Sequence, residues 1–418
     1  MPWFCLKPCG RDKKLDKALR IRIFSVLFLS IFSALLGLGI ILPILPLYAK
    51  TIGANGFWIG AIFAGFSLSR SVFMPIVGKV SDKKGIRKAF IVSGLFVYSI
   101  SSLGYIYSYN VLSLILVRVV HGFCSAMIVP VAMAYIGEIS PKNREGTYMG
   151  LFTVSLFTGF GFGPLIGGFL QDFFSVNAAF VVMGTLCALS FFLVLFWLPS
   201  SHSHHPPQRA APASFRNILK GRQIKGIICY RFISAFARAT VLTFLPLYAS
   251  YHLNMSGFQI GLVISAGVLL TSIMQYPYGR LADAVSRRNL LLFGNILYSL
   301  TIIFFPFTRS FMQVLGLNLL MGILGAISIP AASALVVAEG KKYGMGSTMA
   351  VFNVAMSLGL GTGPIVSGLI HDAAGIKAVF YFSAFVGIAG TFGAARFLST
   401  SPPASPAGEH KICGSSPD

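Results

Sequence analysis

The stretch GKVSDKKGIRK at 78–88 returns as GRLADAVSRRN at 279–289. Working outward from it, LPLYA at 45–49 recurs at 245–249, and IG at 59–60 recurs at 260–261. GFGPLIGGFLQD at 161–172 is answered by GTGPIVSGLIHD at 361–372, Pro130 by Pro330, and Glu138 by Glu339. The separation holds at 200–201 residues across all these landmarks, so the chain is one unit written twice.

The landmarks are separated by apolar runs. Crossing a bilayer as a helix takes roughly 17–25 residues. Runs of that length lie near 23–49, 57–78, 89–108, 112–137, 147–171 and 178–198, then near 227–250, 257–279, 290–308, 311–338, 347–370 and 378–395. They lack the ten-residue alternation of a membrane barrel, so helices are expected. Of the 418 residues, 55% are hydrophobic and 11% charged, and the mean hydropathy is +0.78. A soluble domain carries about 25% charged residues, which excludes an ordinary soluble enzyme. The expectation is an all-α membrane protein with 12 transmembrane helices in two pseudo-symmetric six-helix bundles. Its divisions are a tail over 1–22, bundles over 23–198 and 227–398, a linker over 199–226 and a disordered tail over 399–418.

Placement of the charge sets the orientation. With the N-terminus inside, 26 of the 33 Lys and Arg fall in cytoplasmic segments, four lie within helices, and only Lys50, Arg309 and Lys377 face outward. That is the positive-inside pattern. It accounts for the net charge of +22 without nucleic acid as a partner. Both termini are expected in the cytoplasm, with the chain in the plasma (inner) membrane. The first run is too long for the core of a signal peptide and lacks a small-residue cleavage site, so it reads as a retained span. His202, His204 and His205 sit in a Pro/Ser-rich linker, and the six Cys show no disulfide framework. No metal site and no cofactor are expected.

Charges inside spans are costly and mark function by default. Four exist: Arg70 in helix 2, Arg118 in helix 4, and Arg231 and Arg238 in helix 7. Arg238 lies near mid-depth and shares a polar stripe with Ser234 and Arg231, although Arg231 is close enough to the edge to snorkel. Arg118 and His121, three apart, share a helix face. His121, whose ordinary pKa lies near neutrality, is the candidate proton carrier. The eleven acids supply no mid-depth carboxylate; Asp172 and Asp372 lie at outer helix ends. A cavity with unbalanced positive charge disfavours cations and suits an anionic or zwitterionic substrate, held through charge-assisted hydrogen bonds. Arg238, Arg118, Arg70 and Ser234 are its expected contacts.

The loop at 78–88 and the repeat together resemble the major facilitator superfamily. The resemblance covers nearly the whole chain. In that family's loop between helices 2 and 3 the matching positions are Gly78, Asp82, Gly85, Arg87 and Lys88. The resemblance implies a charge cluster that latches the cytoplasmic side, with Glu138 and Arg144 grouped alongside it. The second copy keeps Gly279 and Asp283 but has Ser286 where the second Gly belongs. Helix 5 carries Gly150, Gly159, Gly163, Pro164, Gly167 and Gly168, a pattern similar to that of the drug:proton antiporter branch, and Gly363 and Pro364 repeat its centre in helix 11. Small residues at this spacing let backbones touch, and the Gly-Pro step invites a bend; the expected role is a hinge. The Asp that this branch commonly carries in helix 1 is replaced by Ala34.

The expected function is alternating-access export or antiport of a small organic solute by a functional monomer in the lipid bilayer. Coupling would be to protons or a counter-anion. Broad multidrug efflux, with an aromatic cavity drawn from 38 Phe and 15 Tyr, is the rival reading. A non-transporting sensor or partner-binding protein on the same scaffold is the rival of another class. Catalysis by the chain is not expected.

Overall fold

A computed structural model describes residues 17–141, 145–199, 218–343 and 345–398. Residues 1–16 of the predicted N-terminal tail, the C-terminal tail, most of the linker with its histidines, and Arg144 lie outside these residues, as do the side chains of Asp82 and Asp283; the last six residues assigned to the N-terminal tail open the first helix. Among the described residues the chain forms twelve α-helices: α1 (Lys17–Thr51), α2 (Gly56–Lys84), α3 (Arg87–Leu103), α4 (Val111–Ile139), α5 (Glu145–Phe173) and α6 (Val176–Trp197), then α7 (Arg222–Leu253), α8 (Gly257–Ala284), α9 (Arg287–Ile303), α10 (Phe311–Tyr343), α11 (Met345–Ala374) and α12 (Ile376–Ala395). Eleven are long and apolar enough to cross a membrane. The remaining one, α3, has 17 residues and is prolonged by the turn at 104–107; its counterpart α9 is prolonged by a 3₁₀ turn at Phe305–Phe307.

Local chemistry sets the helix ends. Asn55, Asn110 and Ser175 accept backbone N–H bonds at the starts of α2, α4 and α6. Ser256 and Gln259 form a reciprocal capping box on α8. Gly85 stops α2 at φ +64°, a left-handed conformation that a side chain disfavours. Ser286, at the equivalent point, has φ −58°, and α8 stops without a left-handed turn. The two copies of the loop therefore differ in shape as well as sequence.

Each bundle repeats one aromatic clamp. Tyr48, from the first LPLYA, meets Phe180 edge-on and donates to the carbonyls of Tyr105 and Ser108, while Tyr105 and Phe180 stack with centroids 5.0 Å apart. Tyr248, from the second copy, meets Phe380 edge-on and donates to the Thr308 carbonyl, while Phe305 and Phe380 stack at 5.6 Å. The repeat in sequence is thus a repeat in packing.

The two ends of the second half lie together: the first residues of α7 meet the end of α12, where Arg222 bonds the Arg396 carbonyl. This end also carries the Lys- and Arg-rich loops and is called the basic end. The bundles join along α2–α11 and α5–α8. Contact runs from the far end to mid-depth, where Leu68 meets Gly361 and Leu269 meets Gly161. Toward the basic end it stops. Val72 and Ile76 on α2, and Ile273 and Tyr276 on α8, are exposed, and nothing approaches Gly78, Gly150 or Gly279. The molecule is closed at the far end and open at the basic end.

Candidate functional site

The four arginines within the predicted spans divide by how the protein holds them. Arg118, on α4, is 2% exposed. Its Nε donates to the Ile62 carbonyl of α2 at 3.4 Å, and its guanidinium lies 4.7 Å from the Phe66 ring and 5.3 Å from Phe63. Its Nη1 is sealed without a partner. His121, one turn on, is fully buried: it stacks on Tyr98 of α3 at 4.2 Å, and its Nδ1 lies 3.1 Å from the Tyr105 hydroxyl. Its Nε2 and the Tyr98 hydroxyl are also sealed without partners. The structure therefore places Arg118 and His121 together, inside the first bundle among α2, α3 and α4, rather than in the gap between bundles.

Arg238 is different. It is half-buried, about 24 Å along α7 from Arg222 at 1.5 Å per residue. Its Nη2 donates to the Gly325 carbonyl of α10 at 2.8 Å, its Nε lies 3.4 Å from the buried Ser234 hydroxyl, and the guanidinium covers the Tyr298 ring of α9 at 4.6 Å. Nη1 bonds no described residue and is not sealed, so that edge faces accessible space. Arg70 lies about 21 Å along α2 from Gly56. It too is half-buried, bonds no described residue, and has no sealed nitrogen. The first bundle thus offers a cation from α2, the second from α7, both near mid-helix. Tyr98 and Tyr298, at the repeat spacing, each carry a basic side chain on the ring face; the sequence reading missed them, and their shared register was the signal available.

The loop residues act within the first bundle. Arg87 is buried and holds Glu138 at the end of α4 through Nε at 2.8 Å and through Nη2. Its Nη1 lies 3.5 Å from the Ser81 hydroxyl. Lys88 reaches the Leu195 carbonyl at the end of α6, where a cation is favoured by the helix dipole; Arg288 reaches the Ala395 carbonyl of α12 in the same way. In the second half the nearly buried Glu339 takes the exposed Lys342 at 2.7 Å, and this hydrogen bond and attraction raise the Lys342 ammonium above its ordinary pKa.

On α5 the glycines sort into two faces. A Cβ at Gly159, Gly163 or Gly167 would run into the backbone of α1, whereas one at Gly161 or Gly168 would meet α8 of the other bundle. α11 repeats the scheme, with Gly359 and Gly363 against α7, and Gly361 and Gly368 against α2. The Pro164 and Pro364 carbonyls lie where Gly261 and Gly60 would carry a side chain. At the far end Asp172 caps the start of α8, accepting from Gly257 and Phe258 at 2.9 and 2.7 Å. Asp372 caps α2 through Gly56 and Phe57 at 2.7 and 2.9 Å.

The comparisons with known proteins agree with this architecture. The Major Facilitator Superfamily model matches residues 27–230 and 227–412. The uncharacterized MFS-type transporter MJ1560 of Methanocaldococcus jannaschii is 30% identical over 369 residues, covering 87% of this chain and 95% of its own. The quinolone resistance protein NorA of Staphylococcus aureus (strain MRSA252) is 26% identical over 376 residues, covering 87% and 94%. The human organic anion transporter MFSD10 (TETRAN) shares the fold with a TM-score of 0.65 at 18% identity, covering 90% and 99%. Twelve helices in two repeated bundles, a family-model match across both halves and a 30% identical relative covered nearly end to end make this chain a member of the major facilitator superfamily: a multi-pass membrane transporter, not an enzyme.

Proposed function

We infer that the chain exports a small organic anion or zwitterion by alternating access, with the basic end in the cytoplasm of the plasma membrane. The observation that carries this reading is the uncovered Nη1 edge of Arg238, at mid-depth beside a gap with no carboxylate within reach among the described residues. Arg70 adds a second cation from the opposite bundle. An acidic group on the solute would replace the counter-ion that neither arginine has, through charge-assisted bonds made where water is scarce. Arg118 and Ser234 support the site from behind, Arg118 by holding α2 against α4 and Ser234 by bracing Arg238. His121 is the candidate proton carrier, and exchange against an anion is the alternative coupling. The α2–α3 loop latches the cytoplasmic side when the cycle reverses, and α5 and α11 carry the swing.

The NorA relatives favour efflux and raise the second reading, general export of hydrophobic compounds. A thermal-shift screen on the detergent-solubilised chain separates the two, with carboxyfluorescein as anion and tetraphenylphosphonium as cation. The anion is expected to stabilise the protein, and Arg238→Gln to abolish that effect. Stabilisation by the cation alone, with Arg238→Gln silent, overturns the anionic reading.

A further inference from the structure

Arg231 sits two turns before Arg238 on the same face of α7, about 10 Å nearer the basic end. Near a membrane edge, an arginine ordinarily extends its head toward water. This one does so along α11. Its guanidinium lies 4.5 Å over the Phe352 ring of α11, and its Nη2 lies 2.7 Å from the sulfur of Met356. Phe232 of α7 lies beside Gly359 of α11 and Phe236 beside Gly363, so a head placed at Phe352 and Met356 lies nearer the basic end than its own backbone does.

The partners are poor ones. A thioether is a weak acceptor, and a phenyl face gives on the order of 1 kcal/mol. Nε is sealed with no partner, and Nη1 bonds no described residue yet keeps contact with accessible space. Arg231 and Arg238 thus share one design: the cation is laid on an aromatic face, one edge is bonded to a neighbouring helix, and another edge is left uncovered. Both lie on the open side of the molecule.

We propose that Arg231 is a second anion-binding station, the one a solute's acidic group meets first on its way from the open basic end to Arg238. The inference rests on the anionic reading given above. A cation at the mouth of a low-dielectric cleft acts chiefly on the rate of capture, whereas a group bonded at the deep site acts on the rate of release.

Stopped-flow fluorescence anisotropy of carboxyfluorescein binding to the full chain in detergent reads both rates. Arg231→Gln is expected to slow association about tenfold and to flatten its dependence on salt, with a smaller change in dissociation. Arg238→Gln is expected to speed dissociation. Met356→Glu places a carboxylate beside Nη2 and leaves the arginine in place. It is expected to slow association like Arg231→Gln while holding or raising the melting temperature, an opposition that a purely structural α7–α11 contact does not produce. Lys377→Gln, an exposed charge at the far end, is expected to leave both rates unchanged. If association is unchanged in Arg231→Gln and Met356→Glu while Arg238→Gln still weakens binding, the second station is overturned and the anionic reading stands. If the unsubstituted chain does not bind the probe, or Arg238→Gln binds it normally, the anionic reading falls and this inference with it.

Discussion

Glu138 accepts from two nitrogens of Arg87, a side chain buried beneath the α2–α3 loop. Replacing the carboxylate by an amide keeps the shape but removes the negative charge from a charge-assisted pair whose arginine is buried. Glu138→Gln is therefore expected to lower stability by about 1–3 kcal/mol. The same cycle with Arg87→Gln is expected to show non-additivity of at least about 0.5 kcal/mol, read from thermal unfolding of the detergent-solubilised chain; additive losses would mean the pair is not coupled. Charges inside apolar runs announce themselves in sequence, which is why Arg70, Arg118 and Arg238 were legible as special positions. Their partners were not. The Gly325 carbonyl and the Tyr298 ring come from other helices, and nothing in one helix's sequence says which neighbour it will face. For the same reason the bond Arg118 makes to the α2 backbone, and the enclosure of His121 by α3, emerge only from packing.

At the scale of the helix, α5 shows how small residues are assigned by contact rather than by motif. Gly167 lies against the Ile40 backbone of α1, while nothing stands near Gly150. Gly167→Ala is expected to destabilise by about 1–3 kcal/mol through overpacking. Gly150→Ala, in the same helix and the same motif, is expected to be neutral or to stabilise by up to about 1 kcal/mol, because alanine is the better helix former. Thermal unfolding of the two variants side by side decides it, and equal losses would mean the motif acts through helix flexibility rather than through packing. The sequence marked α5 and α11 as close-contact helices. It could not divide their glycines between the two bundles, since a spacing of four and a spacing of seven fit one face equally well.

The twelve helices, the doubling and the polarity of the loops were all present in the sequence, because apolar length, repeat register and basic clusters are properties of the chain itself. Which end stands open is not such a property; it depends on the balance of contacts between bundles. At the far end that balance includes two reciprocal clasps, Asp172 on the start of α8 and Asp372 on the start of α2. The repeated acid at 172 and 372 was visible beforehand as two helix-end charges; its role was not, because each caps a helix of the opposite bundle. In both clasps the two carboxylate oxygens accept from two successive N–H groups, so an amide can replace only one of the bonds and loses the charge that the helix N-terminus favours. Each Asp→Asn exchange is expected to cost about 1 kcal/mol. Since 1.4 kcal/mol is tenfold, the double variant should shift the balance toward a far-end-open state by about thirtyfold. Nitroxide labels at Tyr109 and Arg309, exposed loop positions on opposite bundles at the far end, report that opening as a longer distance by double electron–electron resonance. A longer-distance population is expected to grow from each single variant to Asp172→Asn/Asp372→Asn. A distribution unchanged in the double variant would mean that backbone contact at Gly168 and Gly368 alone keeps the far end closed.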